Sequence, residues 1–457
     1  MKGRVQRIHF IGIGGIGMSG LAEILQASGY QVSGSDLKEG AATRRLASVG
    51  IRVCIGHASE NISDADVVVY SSAVSAQNPE IQAAEANQVP VIARAEMLGE
   101  LMRMKYGVAI AGSHGKTTTT SLLGSVLQAG ALDPTIVVGG RVKSLGSNSV
   151  LGAGDILLAE ADESDGSFLR LAPTMIAITN IDREHLDHYG DFETLQQAFC
   201  DFANRVPFWG AAILCLDDPN VQLLLPKITR RTVTYGFSAQ AEIRADRVEA
   251  DGLRMRFQIL RNDKSLGEVS LATPGRHNVA NALAATALGL EFDVTFDRIR
   301  DGLENFTGIE RRFELRGEWR GAPVIDDYAH HPAEIQATLD AAREGLQRRL
   351  IVAFQPHRYT RTRDLFEELA GSFHAADVLL ITEVYAAGEA KIPGIDAASL
   401  VQAASARGHR EVYYVSEREA IVPRLRELAR SEDAVIFMGA GDIGRLAGDM
   451  VEGPSSD

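Results

Sequence analysis

The chain has 457 residues, of which 45% are hydrophobic and 23% charged, and its 60 acidic against 46 basic residues give a net charge of −14. This length allows about three domains with their own cores, and the composition excludes a disordered chain and a small fold held by disulfides or metals. The acidic excess argues against nucleic acid as the main partner. Cys54, Cys200 and Cys215 show no paired spacing, so the sequence predicts neither disulfides nor a zinc site, and a cytoplasmic location.

The N-terminus places Lys2, Arg4 and Arg7 ahead of the apolar run HFIGIGGIGM. We do not expect a secretory signal there, because glycines interrupt the run, Glu23 follows it and a small-residue cleavage site is lacking. No window approaches the roughly 18 consecutive apolar residues of a membrane span. The sequence therefore predicts a soluble, unprocessed protein without membrane insertion.

Short β-branched runs alternate with helical patterns along nearly the whole chain, which is typical of parallel α/β sheets. In a first block, residues 1–105, a helix at Met18–Ser28 accompanies strands at Ile8–Ile11, Gln31–Ser35 and Val67–Tyr70. In a second block, residues 106–312, the predicted strands are Gly107–Ala111, Ile136–Val138, Asp155–Ala159, Met175–Thr179 and Ala212–Leu216. In a third block, residues 313–457, they are Val324–Ile325, Leu350–Phe354, Val378–Thr382, Glu411–Val415 and Ala434–Met438.

One segment of the second block departs from this pattern. Between about Ala241 and Ala272 the apolar residues alternate with period two, interrupted by the turn signals Asp251-Gly252 and Asn262-Asp263. This predicts a small antiparallel insertion. The C-terminal GPSSD is predicted to be frayed.

Two glycine turns carry the GxGxxG spacing. Gly12, Gly14 and Gly17 follow the first strand, and Asp36 ends the next one. Such a turn lets a pyrophosphate approach a helix N-terminus, so it indicates a nicotinamide or flavin dinucleotide, another diphosphate, or a purely structural turn. The second turn, from Gly439 through Gly444, lacks a downstream acid that could bind a ribose, and is at least as well explained by close packing of strand and helix.

The segment AGSHGKTTTT carries the sharper signal. Gly112, Gly115, Lys116 and Thr117 stand between an apolar strand and a helix predicted to begin near Thr118. Backbone amides of such a loop cradle phosphate oxygens, the ammonium neutralises the β- and γ-phosphates, and the threonine hydroxyl can ligate Mg²⁺. The loop is a shortened GxxGKT form, because Ile110 stands where the usual motif has glycine.

Acidic side chains follow two neighbouring strands and could supply metal ligands. They lie in EADESD, with Glu160, Asp162 and Glu163, and in TNIDREHLDHYG, with Asp182, His185, Asp187 and His188. Acids at these positions also serve as helix caps. Since carboxylates dominate, a zinc site is not expected at His185 and His188.

Further polar clusters follow in the chain. GRHNVANALAA carries His277, Asn278 and Asn281, which could read an adenine edge or cap a helix. TGIERRFE carries Arg311 and Arg312, which could clamp a phosphoryl group or be exposed arginines of a linker. Clusters at strand ends, where open α/β sheets bind ligands, are Asp326, Asp327, Tyr328, His330 and His331, then His357, Arg358, Arg361 and Arg363. Arginine binds a carboxylate bidentately, which suits Arg358 or Arg361.

The order of these motifs along the whole chain resembles the Mur ligases of bacterial cell-wall synthesis, and within them the alanine-adding branch. The motifs that carry the resemblance are GIGGIGMSG, GSHGKTTTT, EADESD, TNIDREHLDHY, GRHN, DDYAHHP and QPHRYTRTRDLF. The resemblance implies a three-domain α/β fold: a Rossmann-like UDP-sugar domain, a central P-loop ATPase domain with the antiparallel insertion, and a Rossmann-like domain for the amino acid. These are expected at residues 1–105, 106–312 and 313–457.

The resemblance also implies residue roles. ATP is expected to contact Gly112, Ser113, His114, Gly115, Lys116, Thr117, Thr118, Asn281, Arg312 and Asp326 or Asp327. Mg²⁺ is expected at Thr117, Glu160 and His185. The substrates, UDP-N-acetylmuramate and L-alanine, are expected at Gly14, Gly15, Gly17, Ser35, Asp36, Ser71, His330, Arg358 and Arg361. A direct part in catalysis is expected of Lys116, His185, Arg312 and His330.

The implied reaction is ATP-dependent amide formation through an acyl phosphate, in peptidoglycan precursor synthesis, by a monomer or weak homodimer. Sister ligases carry a carbamylated lysine near their metals, but this chain has no lysine between Lys143 and Lys227, which favours the alanine-adding branch. Asp182 departs from the glutamate often found there. Alternatives are the related muropeptide-recycling ligase, an NAD-dependent oxidoreductase built on the first glycine turn, and a non-catalytic nucleotide-gated binding module.

Overall fold

The computed structural model describes residues 4–71, 73–142 and 147–452. The predicted fraying of GPSSD falls outside the described residues. The chain divides into two compact units. The first comprises Met1–Asp246, Ile259–Gly267 and Ala280–Phe306, and the second comprises Arg247–Gln258, Glu268–Val279 and Thr307–Asp457.

The first unit begins with a five-stranded parallel sheet. Its strands are β1 (Arg7–Ile11), β2 (Gln31–Asp36), β3 (Arg52–Ile55), β4 (Val67–Tyr70) and β5 (Val91–Ala93), in the order β3-β2-β1-β4-β5. The helices are α1 (Ile16–Ala27), α2 (Ala41–Ser48), α3 (Pro79–Ala86) and α4 (Arg94–Met104). The order runs outward in both directions from β1, so the turn after β1 lies at a topological switch point, where such sheets bind ligands.

A ten-stranded sheet follows, with the order β15-β14-β13-β12-β11-β10-β6-β9-β7-β8. Its strands are β6 (Tyr106–Ala111), β7 (Thr135–Val142), β8 (Ser147–Val150), β9 (Ile156–Glu160), β10 (Met175–Ile178), β11 (Ala211–Cys215), β12 (Thr232–Gly236), β13 (Ile243–Asp251), β14 (Arg254–Arg261) and β15 (Lys264–Leu271). Its helices are α5 (Lys116–Ala129), α6 (Leu186–Tyr189), α7 (Phe192–Asn204), α8 (Pro219–Gln222), α9 (Arg276–Glu291) and α10 (Phe296–Glu304).

The predicted antiparallel insertion corresponds to β13, β14 and β15. Its two turns fall at the predicted dipeptides, since β13 ends at Asp251 and β14 ends immediately before Asn262. Asn262 and Asp263 both have positive φ, which suits the tight turns that favour these residue types. The insertion extends the central sheet instead of forming a separate layer.

The second unit contains a six-stranded sheet of order β16-β17-β21-β18-β19-β20, parallel except for the antiparallel edge strand β16. Its strands are β16 (Glu314–Trp319), β17 (Ala322–Asp327), β18 (Arg349–Phe354), β19 (Val378–Thr382), β20 (Val412–Val415) and β21 (Asp433–Met438). Its helices are α11 (Pro332–Leu346), α12 (Tyr359–Asp364), α13 (Phe366–Gly371), α14 (Ala397–Ala406), α15 (Ile421–Leu428) and α16 (Arg445–Glu452). Separate apolar clusters cover its two faces.

Parallel strands that are covered on both faces are apolar at nearly every residue. Strands β10 and β19, for example, are buried at every residue. The predicted strands agree with the structure to within about two residues at most ends, but the helix predicted to begin near Thr118 begins at Lys116. Lys116 and Thr117 therefore lie in the first turn of α5. Among the described residues, no helix combines the length and the apolar character needed to cross a bilayer.

Candidate active site

The phosphate-loop motif forms a tight connection between β6 and α5 in the first unit. Gly112 has φ +130° and Gly115, which precedes the first helical residue, has φ +83°. A Cβ atom at Gly112 would lie 2.0 Å from Thr179 Oγ1, and one at Gly115 would lie 2.6 Å from Asn281 Oδ1. Both positions therefore require glycine for backbone conformation and for space. The loop places the N-terminus of α5, with its unpaired amides and positive dipole end, at the carboxyl end of the sheet.

Lys116 is fixed from several directions. Its Nζ donates to the carbonyl of Gly112 at 2.6 Å, and to Glu163 Oε2 and Oε1 at 2.8 and 2.9 Å. Burial lowers the pKa of Lys116, but the attraction of Glu163 and nearby carboxylates outweighs it and the net pKa is raised. Burial raises the pKa of Glu163, against the effect of Lys116. The pair keeps the ammonium charged and aimed into the loop.

The segment after β10 braces the loop from the other side. Thr179 Oγ1 and Asn180 Nδ2 donate to the carbonyl of His114 at 2.6 and 3.1 Å. The His114 amide donates to Asn180 Oδ1 at 2.8 Å, and His114 Nε2 lies 3.2 Å from Asp182 Oδ2. The amide of Asp182 donates to Ser113 Oγ at 2.8 Å. The motif TNID thus supports the loop, and Asp182 faces His114.

A group of carboxylates and an imidazole lies beside Lys116. Glu163, Glu184 and His185 each offer a ligand atom, and these atoms lie within 4.8 Å of one another. His185 has φ +58° at the start of α6, a backbone conformation that only a few per cent of non-glycine residues adopt. Two carboxylates and one imidazole beside a phosphate loop fit a divalent cation such as Mg²⁺, which prefers oxygen ligands.

The predicted metal ligands only partly coincide with this group. His185 belongs to it, whereas Glu160, at the end of β9, is not part of that compact set. Thr117 lies in the first turn of α5. The sequence predicted Glu163 as a candidate acid but not as a metal ligand, and it did not predict Glu184 as either. Glu184 directly precedes His185 in TNIDREHLDHYG, so its proximity in the chain was the available signal.

The first glycine turn borders a cavity of about 770 Å³ in the first unit. Of the predicted substrate residues, Gly14, Gly15, Asp36 and Ser71 line this cavity, together with residues of α2 and the segment before α3. Asp36 Oδ2 accepts from the Gly14 amide at 2.8 Å, so in this structure the acid at the end of β2 holds the loop.

Ser35 and Gly17 are not part of that lining. Ser35 is fully buried, and a Cβ atom at Gly17 would lie 3.2 Å from the guanidinium of Arg94, so Gly17 provides space for α4. His57 lines the cavity although sequence reasoning did not select it. It follows β3 in the segment GHASEN, and no period or spacing distinguishes it there.

In the second unit, two adjacent arginines lie against one ring. The guanidinium carbons of Arg311 and Arg312 lie 5.0 and 5.2 Å from the centroid of Tyr328. Arg312 Nη1 lies 3.4 Å from Glu334 Oε1, while Arg311 reaches Asp326 at 3.4 Å. Arg311 has φ +59°, which helps the two neighbouring side chains to pack against the same ring.

Asp326 and Asp327 are the last residues of β17, not residues beyond it. Asp327 is 4% exposed and accepts from the amides of Phe313 and Ala329 at 2.6 and 2.8 Å. Burial raises the pKa of Asp327 to about 6, against Arg312 and these amides. Asp327 therefore fixes the backbone at Phe313 and Ala329, whereas Asp326 pairs with Arg311.

His330, His357 and Arg361 form a cluster at the carboxyl end of the six-stranded sheet. The rings of His330 and His357 lie 5.9 Å apart, His357 stacks on Tyr385 at 5.5 Å, and Arg361 Nη1 lies 3.3 Å from His357 Nδ1. Burial, with His330 and the arginines, lowers the pKa of His357 to about 4. Arg358 is exposed and has φ +68° at the start of α12.

The turn from Gly439 to Gly444 is a packing turn. Arg311 Nη2 donates to the Gly439 carbonyl at 2.6 Å, and a Cβ atom at Gly444 would lie 2.5 Å from Asp326 Oδ1. The glycines allow β21 and the following helix to approach this ion pair.

Comparison with known proteins agrees with this arrangement. The description "Mur ligase family, catalytic domain" matches residues 7–106, "Mur ligase middle domain" matches 110–289, and "Mur ligase, glutamate ligase domain" matches 311–441. The chain belongs to the Mur ligase family. This confirms the predicted three-domain α/β architecture, and it replaces the interpretation of the first glycine turn as the centre of an NAD-dependent oxidoreductase.

Individual members of the Mur ligase family extend the likeness. A UDP-N-acetylmuramate--L-alanine ligase of Sorangium cellulosum is 56% identical over 97% of this chain and 95% of its own length. The crystal structure of the UDP-N-acetylmuramate-alanine ligase from Thermotoga maritima is similar with a TM-score of 0.78, at 31% identity over 98% of both chains. A murein peptide ligase from Psychrobacter arcticus shares the fold, with a TM-score of 0.67 and 24% identity over 98% of both chains.

Proposed function

We propose that the protein joins L-alanine to the carboxylate of UDP-N-acetylmuramate, using ATP and releasing ADP and phosphate, as a step in peptidoglycan precursor synthesis. The observation that carries this proposal is the glycine loop that aims Lys116 and the N-terminus of α5 at one point, beside Glu163, Glu184 and His185. Likeness to the Sorangium cellulosum ligase over nearly the whole chain supports the choice of substrates.

The chemistry follows from the poor reactivity of a carboxylate, whose negative charge repels nucleophiles. The muramoyl carboxylate oxygen attacks the γ-phosphorus of ATP, and ADP leaves, which gives an acyl phosphate. The amine of L-alanine then attacks the acyl carbon, loses a proton, and expels phosphate from the tetrahedral intermediate. Most of the rate enhancement is expected from positioning and from charge stabilisation in a site without bulk water.

On this proposal the loop residues bind ATP. Its phosphate oxygens are expected to accept from the amides of Gly112, Gly115, Lys116, Thr117 and Thr118. Ser113 and His114, whose amides donate to the carbonyl and side-chain oxygens of Asn180, are assigned to holding the shape of the loop around the nucleotide. The Lys116 ammonium leaves part of its contact with Glu163 and offsets the charge that develops on the transferred phosphoryl group. Asn281, whose Oδ1 accepts from Thr119 Oγ1 at 3.1 Å, is assigned to holding the same helix end and the nucleotide.

We assign the divalent cation, Mg²⁺, to the acidic group beside the loop. Glu163, Glu184 and His185 would hold it, with Thr117 and Glu160 as the further ligands that the family resemblance implies. When bound, it would neutralise phosphate charge. The part of this chain is to present two carboxylates and an imidazole at short mutual distance, and to keep Lys116 charged beside them.

The residues of the second unit receive proposed roles by their chemistry. Arg312, which is held by Glu334, is assigned to stabilising the charge of the transferred phosphoryl group, and Asp326 is assigned to binding the nucleotide. Arg358 and Arg361 are assigned to the carboxylate of L-alanine, and His330 to its amine. Gly14, Gly15, Asp36 and Ser71 are assigned to the nucleotide-sugar, and of the remaining predictions Gly17 and Ser35 would act through packing and hydrogen bonds.

Several general properties belong to the same proposal. We place the domain boundaries at residues 1–105, 106–312 and 313–457, and expect a monomer or weak homodimer. The free thiols of Cys54, Cys200 and Cys215 support a cytoplasmic location, where thiols stay reduced.

One assay tests the function. Phosphate release from ATP is measured with and without UDP-N-acetylmuramate, for each of the twenty amino acids and for the muropeptide tripeptide. Release that needs both the nucleotide-sugar and L-alanine supports the proposal. Release with the tripeptide instead would make this a recycling ligase, and tight ATP binding without amino-acid-dependent release would make it a nucleotide-gated binding module.

A further inference from the structure

A carboxylate lies fully buried behind the nucleotide-sugar cavity. Glu80, in the first turn of α3, has no exposed surface. Its Oε1 accepts from Asn61 Nδ2 at 2.5 Å and from the Ala58 amide at 3.3 Å, and its Oε2 lies 3.5 Å from Nε2 of the equally buried His9. Burial raises the pKa of Glu80, but the nearby imidazole of His9 and hydrogen bonds from Ser35 and Asn61 outweigh it and bring the pKa to about 2. The group is ionised at neutral pH, and hydrogen bonds from Ser35, Asn61 and the Ala58 amide offset the cost of a charge in the protein interior.

A chain of hydrogen bonds connects this carboxylate to the cavity wall. Ser35 Oγ donates to Glu80 Oε2 at 2.5 Å and lies 2.9 Å from His57 Nδ1. A serine hydroxyl has one hydrogen to donate, and here it donates that hydrogen to the Glu80 carboxylate. Ser35 must therefore accept from His57, so the proton of the imidazole is on Nδ1. His57 lines the cavity, and with Nδ1 engaged its Nε2 is the atom left for a ligand.

We propose that Glu80 and Ser35 are positioning residues that hold His57 as the Nδ1–H tautomer, so that Nε2 accepts a hydrogen bond from the nucleotide-sugar. The inference deepens the proposed function, on which it rests. The recognised group is then a hydroxyl or an N–H of the ligand. A diphosphate oxygen could not serve, because it only accepts hydrogen bonds.

The variant Glu80→Gln tests the tautomer directly. The Ala58 amide and the Asn61 side chain both donate to the Oε1 position, so the oxygen of glutamine takes that place and its NH₂ group takes the Oε2 position. Ser35 then accepts from glutamine and donates to His57 Nδ1. The imidazole proton moves to Nε2, which no longer accepts from the ligand. Ser35→Ala removes the link altogether with a minimal change in shape.

The measurements are the ¹⁵N spectrum of the histidines and the steady-state constants of the ligation. We expect the ¹⁵N signals of His57, identified as those absent from the His57→Gln spectrum, to show the proton on Nδ1 in the wild-type protein and on Nε2 in Glu80→Gln. The KM for UDP-N-acetylmuramate should rise about tenfold in Glu80→Gln and in Ser35→Ala, the effect of one lost hydrogen bond, while the KM for ATP and for L-alanine stays unchanged. Glu85→Gln, at an exposed carboxylate of the same helix, is the matched control.

The outcomes separate this inference from the proposed function. A wild-type chain that fails to bind UDP-N-acetylmuramate overturns the function, whereas unchanged KM values in both variants overturn the positioning role alone. A doubly protonated His57 ring in the wild-type protein at neutral pH also overturns it. If Glu80→Gln does not fold, Ser35→Ala decides. Titration of Glu80→Gln and Ser35→Ala with UDP alone locates the ligand group that donates to His57. Loss of UDP affinity in these variants places that donor on the uridine, and unchanged UDP affinity places it on the N-acetylmuramate.

Discussion

The ammonium of Lys116 and the carboxylate of Glu163 form a buried pair next to the phosphate loop, so their contributions to stability and to chemistry have to be separated. In Lys116→Met the side chain keeps its apolar stem but loses its charge. We expect ligation to fall at least about hundredfold, because a preorganised cation no longer offsets phosphoryl charge. We also expect reduced stability, because Glu163 is left buried without its cation. Initial rates and thermal unfolding measure the two effects.

The double variant Lys116→Met with Glu163→Gln distinguishes the loss of ligation from the loss of stability. It removes both charges, so stability should recover toward the wild-type value while ligation stays lost. Lys264→Ala, at an exposed lysine of β15, controls for a change in net charge alone. Ligation near the wild-type rate in either variant that lacks Lys116 would exclude its proposed role.

His357 provides a pH-dependent prediction. Its pKa in the folded protein is about 4, below the ordinary value of 6.5, so in the window between them the unfolded chain binds more protons than the folded one. Stability should therefore rise with pH from about 4 to 6.5 and fall as the pH drops through this window. His357→Gln, which cannot titrate, should flatten the dependence of the unfolding free energy on pH. Denaturant unfolding at several pH values measures it.

The control for His357 is His374→Gln, at an exposed histidine of the same unit. In His374→Gln the unfolding free energy should depend on pH as steeply as in the wild-type protein. Equal flattening in both variants would assign the effect to the number of histidines and not to the environment beside Arg361.

At the scale of elements, the connection from β6 to α5 depends on glycine for two reasons that substitution can separate. Gly115→Ala forces alanine into the left-handed backbone conformation of this position and places its Cβ atom 2.6 Å from Asn281 Oδ1. Gly29→Ala causes only the backbone strain, since φ is +92° there and the space around it is open. Each should lose about 1–2 kcal/mol for the backbone. Only Gly115→Ala should also lose ATP binding, because the clash moves the loop.

Calorimetric titration with ATP, together with denaturant unfolding, measures both effects for this pair of variants. Intact ATP affinity in Gly115→Ala would mean that the loop tolerates the displacement and that the glycine is not required for the phosphate cradle.

Most strands, although not β3, β5, β8 and β12, could be predicted because the buried parallel strands read as short apolar runs and each is followed by a turn. The start of α5 could not, because Thr117 and Thr118 are weak helix formers and the sequence offers no side-chain cap. The structure begins the helix at Lys116, after a left-handed Gly115. The edge strand β16 was missed for a related reason, since half of its residues face solvent and interrupt the apolar pattern.

At the scale of the whole molecule, the nucleotide-sugar cavity and the phosphate loop both lie in the first unit, so their ligands should stabilise that unit first. With UDP at about a hundred times its Kd, we expect exchange-protected amides of β1 and β4 to gain about 2.7 kcal/mol of protection. Amides of β18 and β21 should gain less. Hydrogen exchange followed by mass spectrometry measures this, and equal gains in both sets would show that the two units unfold together.

The sequence by itself determined the α/β class, the three blocks, the phosphate loop and the order of motifs that marks the family, because glycine turns and apolar strands are local features of the chain. Only the tertiary structure decided that Asp182 braces His114, that Glu184 joins Glu163 and His185, and that Ser35 is buried between Glu80 and His57. These contacts connect residues far apart in the chain. Hydrogen bonds and desolvation depend on distance and burial, which residue types and spacing do not specify.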